Sequence, residues 1–261
     1  MRVTRVHVAL PLSAGMEMTL PEGPSTHLLR VLRLGVDDRC VLFNGDGHDY
    51  PARVTHVGKR ALQVRLDAPV RIANESALRI VLLQGIARGE KMDLILQKAT
   101  ELGVAEIRPL LSQRSEVKLD PARAARRLAH WQAVVTAACE QSGRARVPPV
   151  TAPATLAAVL TGLGGAAPPD IPARSAVEGA IAGLRLILDP NGDLVFGGLP
   201  ITPATEVTLA IGPEGGWSPA DREQLRAAGF HGLRLGPRIL RTETAGLAAI
   251  AALQARFGDL A

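Results

Sequence analysis

The residues with the clearest chemical signature form a glycine-bearing loop that follows an apolar run. Residues 212–216 (Gly-Pro-Glu-Gly-Gly) come directly after the strand-like residues 207–211, and Ser218 with Asp221 predicts the capped start of a helix. Glycines let main-chain N–H and C=O groups approach a ligand closely, and open α/β sheets bind ligands at the carboxyl ends of strands. An ordinary tight turn is the alternative, although it needs neither three glycines nor a carboxylate.

A second loop, residues 235–245, combines a stiff main chain with charge. A short predicted strand ends at Gly236, Pro237 restricts the chain, and Arg238 and Arg241 supply two cations. Cations held in a rigid loop can recognise an anionic ligand or stabilise developing negative charge. Two arginines that simply face solvent are the alternative interpretation.

The same loop predicts the start of the final helix. Thr242 or Thr244 is expected to cap it, and residues 245–252 are small and apolar, as in a buried or interfacial helix. If the loop has no chemical role, Thr242 and Glu243 only cap this helix.

A third charged stretch lies earlier in the chain. Residues 88–91 (Arg-Gly-Glu-Lys) are followed by Lys98, Glu101 and Arg114. On their own these residues are typical of a solvated helix face with ion pairs three residues apart.

The sequence lacks the motifs of several common hydrolases, metal sites and nucleotide-binding sites. The chain has neither the Gly-x-Ser-x-Gly nor the His-Glu-x-x-His motif, and its six histidines are scattered without the spacing of metal ligands. The nucleotide-binding motifs Gly-x-Gly-x-x-Gly and Gly-x-x-x-x-Gly-Lys-Ser/Thr are missing as well. Cys40 and Cys139 lie far apart, which predicts two buried thiols instead of a zinc module or disulfide. We therefore expect no metal.

Composition favours a globular protein with an anionic partner. The 261 residues are 47% hydrophobic, and no apolar run approaches the roughly 18 residues of a membrane span, so no membrane association is expected. The formal charge is +5 with mostly arginine cations, which suits phosphate recognition. Only 3% of residues are aromatic, so nucleic-acid binding would depend on phosphate contacts more than on stacking. The first residues lack the apolar segment of a signal peptide, which predicts a cytoplasmic protein.

The first part of the chain is predicted to be rich in β-structure. Residues 2–8 and 61–66 alternate, residues 39–43 form a short apolar run, and residues 44–47 (Asn-Gly-Asp-Gly) predict a turn. Short strands with frequent turns are typical of a small barrel.

One helix interrupts these strands. It is predicted over residues 26–33, closing at Gly35, with Leu28, Val31 and Leu32 facing the core. The arginines between these apolar residues would then point outward.

The second part alternates strands with helices. Predicted strands cover residues 78–83, 104–111, 184–188 and 207–211, and predicted helices end at Gly103 and begin at Asp120. This alternation is typical of an α/β domain with a mostly parallel sheet and helices on both faces. Residues 151–183 predict only a helix-bearing region and a flexible loop around residues 164–172.

Six motifs point to one family. They are, in chain order, His27-x-x-Arg30-Val31-Leu32-Arg33, Arg88-Gly89-Glu90-Lys91-Met92, Gln97-Lys98-x-x-Glu101-Leu102-Gly103-Val104, Ala138-Cys139-Glu140-Gln141-x-x-Arg144, Ile211-Gly212-Pro213-Glu214-Gly215-Gly216, and Leu235-Gly236-Pro237-Arg238-Ile239-Leu240-Arg241-Thr242-Glu243-Thr244-Ala245. In this order and spacing they resemble the RsmE family, the bacterial 16S ribosomal RNA uridine-N3 methyltransferases of the SPOUT class. Residues 151–183 show little resemblance, and Asp189-Pro190 departs from the family's usual residues before that proline.

The resemblance implies a fold and an activity. It implies a PUA-like RNA-binding β-barrel over residues 1–72 and a SPOUT methyltransferase domain over residues 73–261, with a C-terminal trefoil knot. It also implies S-adenosylmethionine as cofactor, a homodimer, and 16S rRNA of the small ribosomal subunit as substrate.

The resemblance also implies site residues. The cofactor would be bound by two groups of residues: Leu188, Ile211, Gly212, Pro213, Glu214, Gly215 and Gly216 on one side, and Leu235, Gly236, Arg238, Ile239, Leu240, Thr244 and Ala245 on the other. Arg241 is the expected catalytic cation, and Glu243 or Glu214 would relay the proton of uracil N3. RNA contacts would come from Arg5, Arg30, Arg33, Arg88, Lys91, Arg114 and Arg144.

Two other functions remain open at this point. A non-catalytic RNA-binding or ribosome-assembly factor would use the barrel and basic residues without needing the two glycine-bearing loops. A methyltransferase of the same class could instead modify a different RNA.

Overall fold

The chain folds into two compact units. The computed structural model describes residues 4–117, 120–163, 183–202 and 205–260. The N-terminal unit comprises Met1–Glu75 and Thr136–Val147, and the C-terminal unit comprises Ser76–Val135 and Pro148–Ala261. The sequence predicted a single division, after residue 72, whereas the segment Thr136–Val147 also belongs to the N-terminal unit.

The N-terminal unit is built around one six-stranded sheet. Its elements are β1 (Arg5–His7), β2 (Glu17–Thr19), α1 (Glu22–Thr26), β3 (Arg39–Phe43), β4 (His48–Val57), β5 (Leu62–Leu66) and β6 (Val70–Arg71). The strand order is β1-β3-β4-β5-β2, with β6 paired to β4. β1 and β3 are parallel, and the other pairs are antiparallel. The prediction of a β-rich N-terminal region is therefore confirmed.

Alternation along the strands forms the core of this unit. In β5, Leu62, Val64 and Leu66 are buried while the two residues between them are exposed. Cys40 is also buried in this core, and burial raises the pKa of its thiol to about 11. Both cysteines lie in the interior and are free thiols, as the sequence predicted.

The predicted helix of this unit differs from expectation in extent and in buried face. It begins earlier, as α1, and continues as a π-helical turn over His27–Val31, in which the N–H of Leu32 donates to the carbonyl of His27. Leu28 is fully buried, but Val31 and Leu32 are 66% and 38% exposed, so their predicted core position is wrong. The physical reason is that a π-helical turn is wider than an α-helical turn, which rotates the following residues away from the 3.6-residue pattern.

The C-terminal unit alternates strands with helices. Its elements are β7 (Arg79–Gly85), α2 (Glu90–Glu101), β8 (Glu106–Leu111), α3 (Pro121–Ser142), β9 (Ala154–Thr155), α4 (Leu156–Thr161), β10 (Gly183–Leu188), β11 (Glu206–Ile211), α5 (Pro219–Ala227), β12 (His231–Leu233) and α6 (Thr242–Phe257). A 3-10 turn covers Phe196–Gly198, and α3 ends within the segment assigned to the N-terminal unit. The predicted loop around residues 164–172 lies outside the described residues.

All strands of this sheet are parallel, in the order β12-β10-β11-β7-β8-β9. On one face, Val81 and Leu83 of β7 share a buried cluster with residues of α4 and α5. On the other face, Gly246 of α6 lies against Ile211 and Gln84. Helices therefore cover both faces, as predicted. Because the strands are parallel, the loops after β7, β10, β11 and β12 lie at the same carboxyl edge of the sheet.

Candidate active site

The two glycine-bearing loops border one cavity at the carboxyl edge of the sheet. The cavity has a volume of about 400 Å³. Its walls are formed by Lys91, Leu188, Pro190, Ile211, Gly212, Pro213, Glu214, Gly216, Trp217, Arg222, Ile239, Leu240, Arg241, Thr242 and Ala245. Residues 212–216 and 239–245, distant in sequence, thus face one space, and that space lies within the range typical of small-molecule sites.

A smaller cavity of about 90 Å³ lies beside the first and shares part of its wall. Leu188, Pro190, Ile239, Leu240 and Ala245 line both. The smaller cavity adds Asp189, Leu233, Leu235, Gly236 and Arg238. Twelve of the fourteen residues predicted to bind the cofactor therefore line one cavity or the other. The remaining two, Gly215 and Thr244, are exposed and line neither.

Glycine at the end of β7 allows the loop after β11 to pass directly against it. A Cβ atom added to Gly85 would lie 2.5 Å from the main-chain nitrogen of Pro213. No side chain fits that distance without moving the loop. Gly216 has φ near +65°, which is the left-handed region that favours glycine. These two positions fix the path of the 212–216 loop.

The start of α5 follows the prediction closely. Ser218 accepts a hydrogen bond from the main-chain N–H of Asp221, and the Asp221 carboxylate accepts one from the N–H of Ser218. This reciprocal capping box holds the end of the loop where the helix begins. Asp221 also accepts a hydrogen bond from the N–H of Gln113 at 3.3 Å.

Thr242 joins the two loops and does not cap α6, so the predicted capping role is wrong. The N-cap residue is Arg241, which makes no side-chain capping bond. The Thr242 hydroxyl donates to the carbonyl of Gly212 at 2.6 Å and accepts from Gln84 Nε2 at 3.2 Å. Thr242 is the first residue inside α6 and not its N-cap, and its hydroxyl is directed at the neighbouring loop, which explains the difference. Thr242 and Gln84 are the residues of this site that sequence reasoning missed most clearly.

Lys91 lies in the cavity wall between two carboxylates. Its Nζ is 3.5 Å from Glu214 Oε1 and 3.7 Å from Glu243 Oε2. Glu214 Oε1 also accepts the main-chain N–H of Arg88 at 3.1 Å. Burial alone would raise the pKa of Glu214, but the hydrogen bonds from main-chain N–H groups and the nearby Lys91 ammonium together lower it.

The two residues predicted to be catalytic lie in different settings. Arg241 lines the cavity and has an exposed side chain. Glu243 does not line the cavity, and its Oε2 is buried without a hydrogen-bond partner among the described residues. A carboxylate oxygen closed off in this way cannot contact a ligand in the cavity unless it moves.

Arg222 and Trp217 also form part of the wall, although the sequence analysis singled out neither. Arg222 of α5 pairs with Asp189, a buried residue at the end of β10. Asp189 accepts the N–H of Asn191 as well, which fixes the turn after the strand. No local sequence pattern predicts this ion pair, because its two partners lie 33 residues apart.

Arg5 and Arg144 are buried in the N-terminal unit, and their predicted role as RNA contacts does not fit their surroundings. The Arg5 side chain is 9% exposed and donates to both carboxylate oxygens of Asp49, at 3.0 and 2.6 Å. It also donates to the carbonyls of Cys139 and Arg144 and stacks on Phe43. Arg144 is paired with Glu75. These contacts hold the segment Thr136–Val147 within the unit and leave the guanidinium groups committed to protein partners.

The other predicted RNA contacts are more accessible. Arg30 and Arg33 of the N-terminal unit are exposed. In the C-terminal unit, Arg88 is exposed and pairs with Glu116, and Arg114 donates to the carbonyl of Gly215 at 3.1 Å. Lys91 differs from all of these because it lines the cavity.

The described residues offer neither a metal-binding cluster nor a membrane-spanning helix. Among them, no group of three or more histidine, cysteine, aspartate or glutamate side chains is arranged to hold a metal ion. Within the same residues, none of the helices combines the length and apolar character needed to cross a membrane.

Comparison with known proteins identifies the class. Residues 74–254 match the RNA methyltransferase domain family, and residues 25–67 match the RNA methyltransferase PUA domain. The fold and the cavity therefore define an RNA methyltransferase with an N-terminal PUA domain. The RNA methyltransferase domain that the resemblance implied therefore lies in the C-terminal unit, while its SPOUT class and trefoil knot stay predictions.

Comparison with individual relatives identifies the family. The chain is 30% identical to ribosomal RNA small subunit methyltransferase E of Buchnera aphidicola, over 99% of this chain and 98% of that protein. It is 33% identical to the Synechocystis protein of the same name, over 91% and 73% of the two chains. A crystal structure of the Neisseria gonorrhoeae protein of that name, bound to S-adenosyl methionine, has 38% identity and a TM-score of 0.89, with both chains fully covered. This chain belongs to the ribosomal RNA small subunit methyltransferase E family.

Proposed function

We propose that this protein transfers a methyl group from S-adenosylmethionine to N3 of a specific uridine in 16S rRNA. The observation that carries the proposal is the cavity of about 400 Å³ that borders both loops, with walls from four residues of 212–216 and five residues of 239–245. A protein that only bound RNA would not need such a cavity. The names of the relatives, and the ligand bound to the Neisseria gonorrhoeae protein, support the same activity.

The residues of the two cavities fit this cofactor. Leu188, Ile211 and Leu240 offer apolar side chains for a flat adenine ring, and the glycines expose main-chain groups that can read its edge. Gly85 leaves no room for a side chain beside Pro213, which keeps the loop backbone close to the cavity. When bound, S-adenosylmethionine would supply a sulfonium methyl group that uracil N3 attacks, with S-adenosylhomocysteine as the leaving group. The remaining contribution of the protein is alignment, charge stabilisation and handling of one proton.

Glu214 is the carboxylate that we propose receives the proton of uracil N3. It lines the cavity, whereas the Oε2 of Glu243 is buried behind Lys91. Arg241, with its exposed guanidinium at the same cavity, would contact the RNA beside the acceptor base. Gly215 and Thr244 would then contribute only through the main-chain path of their loops.

The RNA would be positioned by the accessible cations Arg30, Arg33, Arg88 and Arg114. Phosphate contacts of this kind fix the orientation of an RNA without selecting its sequence. As part of the same proposal, the protein acts in the cytoplasm on the small ribosomal subunit or its RNA, and works as a homodimer.

Two measurements test the proposal. Calorimetry should detect binding of S-adenosylmethionine, and the purified protein should methylate 16S rRNA or small subunits from a strain that lacks the corresponding gene. Mass spectrometry of the digested RNA should then find one new 3-methyluridine. Cofactor binding without this product would indicate a different RNA substrate. Absence of cofactor binding at millimolar concentration would favour an RNA-binding assembly factor.

A further inference from the structure

Among the described cations that line the large cavity, Lys91 is the one placed between two carboxylates. Its ammonium lies within 3.7 Å of carboxylate oxygens on two different elements, the loop after β11 and the first turn of α6. Arg241, by contrast, has an exposed side chain, and Arg222 is paired with Asp189. A cation fixed before the substrate arrives stabilises developing charge more effectively than one that must be ordered during the reaction.

The two carboxylates that hold Lys91 are themselves anchored. Glu214 accepts the main-chain N–H of Arg88, and Glu243 lies in the first turn of α6 with a side chain that is 14% exposed. Because Glu243 Oε2 has no hydrogen-bond partner among the described residues, the nearby ammonium is what compensates its charge. One positive charge between two negative charges also lets a cationic cofactor occupy the cavity without net repulsion from Lys91.

We propose that Lys91 is a catalytic residue whose ammonium stabilises the negative charge that develops on the uracil ring. This assignment rests on the proposed function. As the N3–methyl bond forms, the sulfur–methyl bond breaks with its electron pair remaining on sulfur, and the N3 proton passes to the carboxylate of Glu214. Lys91 keeps its own proton throughout. Glu243 is a positioning residue that holds Lys91.

The properties of Glu214 explain why such a cation is needed. The pKa of this carboxylate is lowered, and a carboxylate with a low pKa is a weak proton acceptor. Stabilising the uracil anion is then the more effective way to lower the barrier. A phosphate contact, the role predicted for Lys91 from sequence, would compete with both of its ion pairs.

Replacement of Lys91 by methionine tests the assignment. We expect kcat to fall about 100-fold, as for removal of one preorganised charge-stabilising group. Affinity for S-adenosylmethionine, measured by calorimetry, should change little. Lys98→Met is the matched control, since Lys98 lies on the same helix, pairs with Glu101 and has a similarly exposed side chain, 42% against 39%. It does not line the cavity and should retain full activity.

A more acidic substrate separates charge stabilisation from simple positioning. Fluorine at C5 withdraws electrons and makes the uracil N3 proton easier to remove. With 5-fluorouridine at the target position, the ratio of wild-type to Lys91→Met activity should shrink at least several-fold. Glu243→Gln should lower kcat less than Lys91→Met, and the double variant should be no worse than Lys91→Met alone, because Glu243 acts through Lys91.

Three results would overturn the assignment. An equal loss on uridine and 5-fluorouridine would leave Lys91 only a structural role. A salt dependence of RNA affinity that becomes shallower by about one charge in Lys91→Met would make it a phosphate contact. Unchanged kcat would remove any role in the reaction. If instead the unaltered protein binds the cofactor but methylates no 16S rRNA, the proposed function fails first, and that result differs from all three.

Discussion

The buried arginines of the N-terminal unit and the cations of the large cavity show two uses of the same chemistry. Arg5 makes two hydrogen bonds to Asp49 and one to each of two main-chain carbonyls, so four of its five N–H donors are directed at the protein. Lys91 is also paired with carboxylates, yet it remains 39% exposed in a cavity wall. Both cations are ion-paired, so ion pairing does not distinguish Arg5 from Lys91. The difference is whether the cation still faces a space that a ligand can enter.

This comparison assigns different consequences to loss of each cation. Removal of a largely buried arginine that is paired with a carboxylate leaves that carboxylate uncompensated and lowers stability. Removal of Lys91 also leaves Glu243 less well compensated, yet its main effect is expected on the ligand, because the lysine faces the cavity. The expected effects therefore divide into losses of stability and losses of ligand binding or catalysis.

The largest effect on stability is expected for Arg5→Met. Loss of one partner of a buried ion pair typically costs about 3–5 kcal/mol, and Arg5 also holds the segment Thr136–Val147 through the Cys139 carbonyl. Urea denaturation of the full chain should show this decrease in the free energy of unfolding. Arg30→Met, a substitution at an exposed residue of the same unit, should stay within about 0.5 kcal/mol of wild type. Equal effects of the two substitutions would contradict the division.

The next effect is expected at the contact between the two loops. Thr242→Val keeps the shape of the side chain but leaves the carbonyl of Gly212 without its hydrogen bond, a loss of roughly 1–3 kcal/mol. If the loops must be held together to bind the cofactor, affinity for S-adenosylmethionine should fall about tenfold. Calorimetry would measure this change. Thr242→Ser keeps the hydroxyl and should restore most of the affinity, whereas Thr244→Val, at an exposed position, should have none of this effect.

The role of Thr242 illustrates how far sequence reasoning reached in this site. The two loops, their glycines and the capping box at Ser218 were predictable because each depends on residues close together in sequence. The hydroxyl contact between Thr242 and Gly212 spans 30 residues, and Gln84 approaches it from a third element. The sequence around Thr242 does not distinguish this contact from an ordinary helix cap.

Prediction of the fold was likewise limited to features that depend on residues close together in sequence. Strand and helix alternation predicted a parallel sheet covered on both faces, but the π-helical turn at His27–Val31 changed which apolar residues are buried. Arg5 and Arg144 were interpreted as RNA contacts because charge alone carries no information about burial. Their partners, Asp49 and Glu75, are more than 40 residues away in sequence.

A smaller, purely electrostatic effect is expected for the exposed arginines of the N-terminal unit. Replacement of Arg30 and Arg33 together by glutamine should weaken RNA binding at all sequences, because phosphate contacts are not specific. The slope of log affinity against log salt should become shallower by roughly 1.5 if both contact phosphates. Filter binding at several salt concentrations would measure it. The double lysine variant keeps both charges and should keep the wild-type slope; an unchanged slope in the glutamine variant would contradict the role of both residues.

The smallest effect is a pH dependence of stability in the N-terminal unit. Burial lowers the pKa of His7 below its ordinary value near 6.5, although Glu140 partly offsets this by favouring the protonated ring. Below pH 6.5 the unfolded chain therefore binds a proton that folded His7 does not bind until the pH falls further. The free energy of unfolding should decrease between the ordinary and the lowered pKa, and this contribution should level off below the lowered value. His7→Gln removes the titrating group, so its free energy of unfolding, from urea denaturation between pH 7.5 and 5, should fall less steeply with pH than that of wild type. Parallel curves would mean that protonation of His7 costs the folded state nothing, and that the burial of its ring beside Phe43 has no electrostatic consequence.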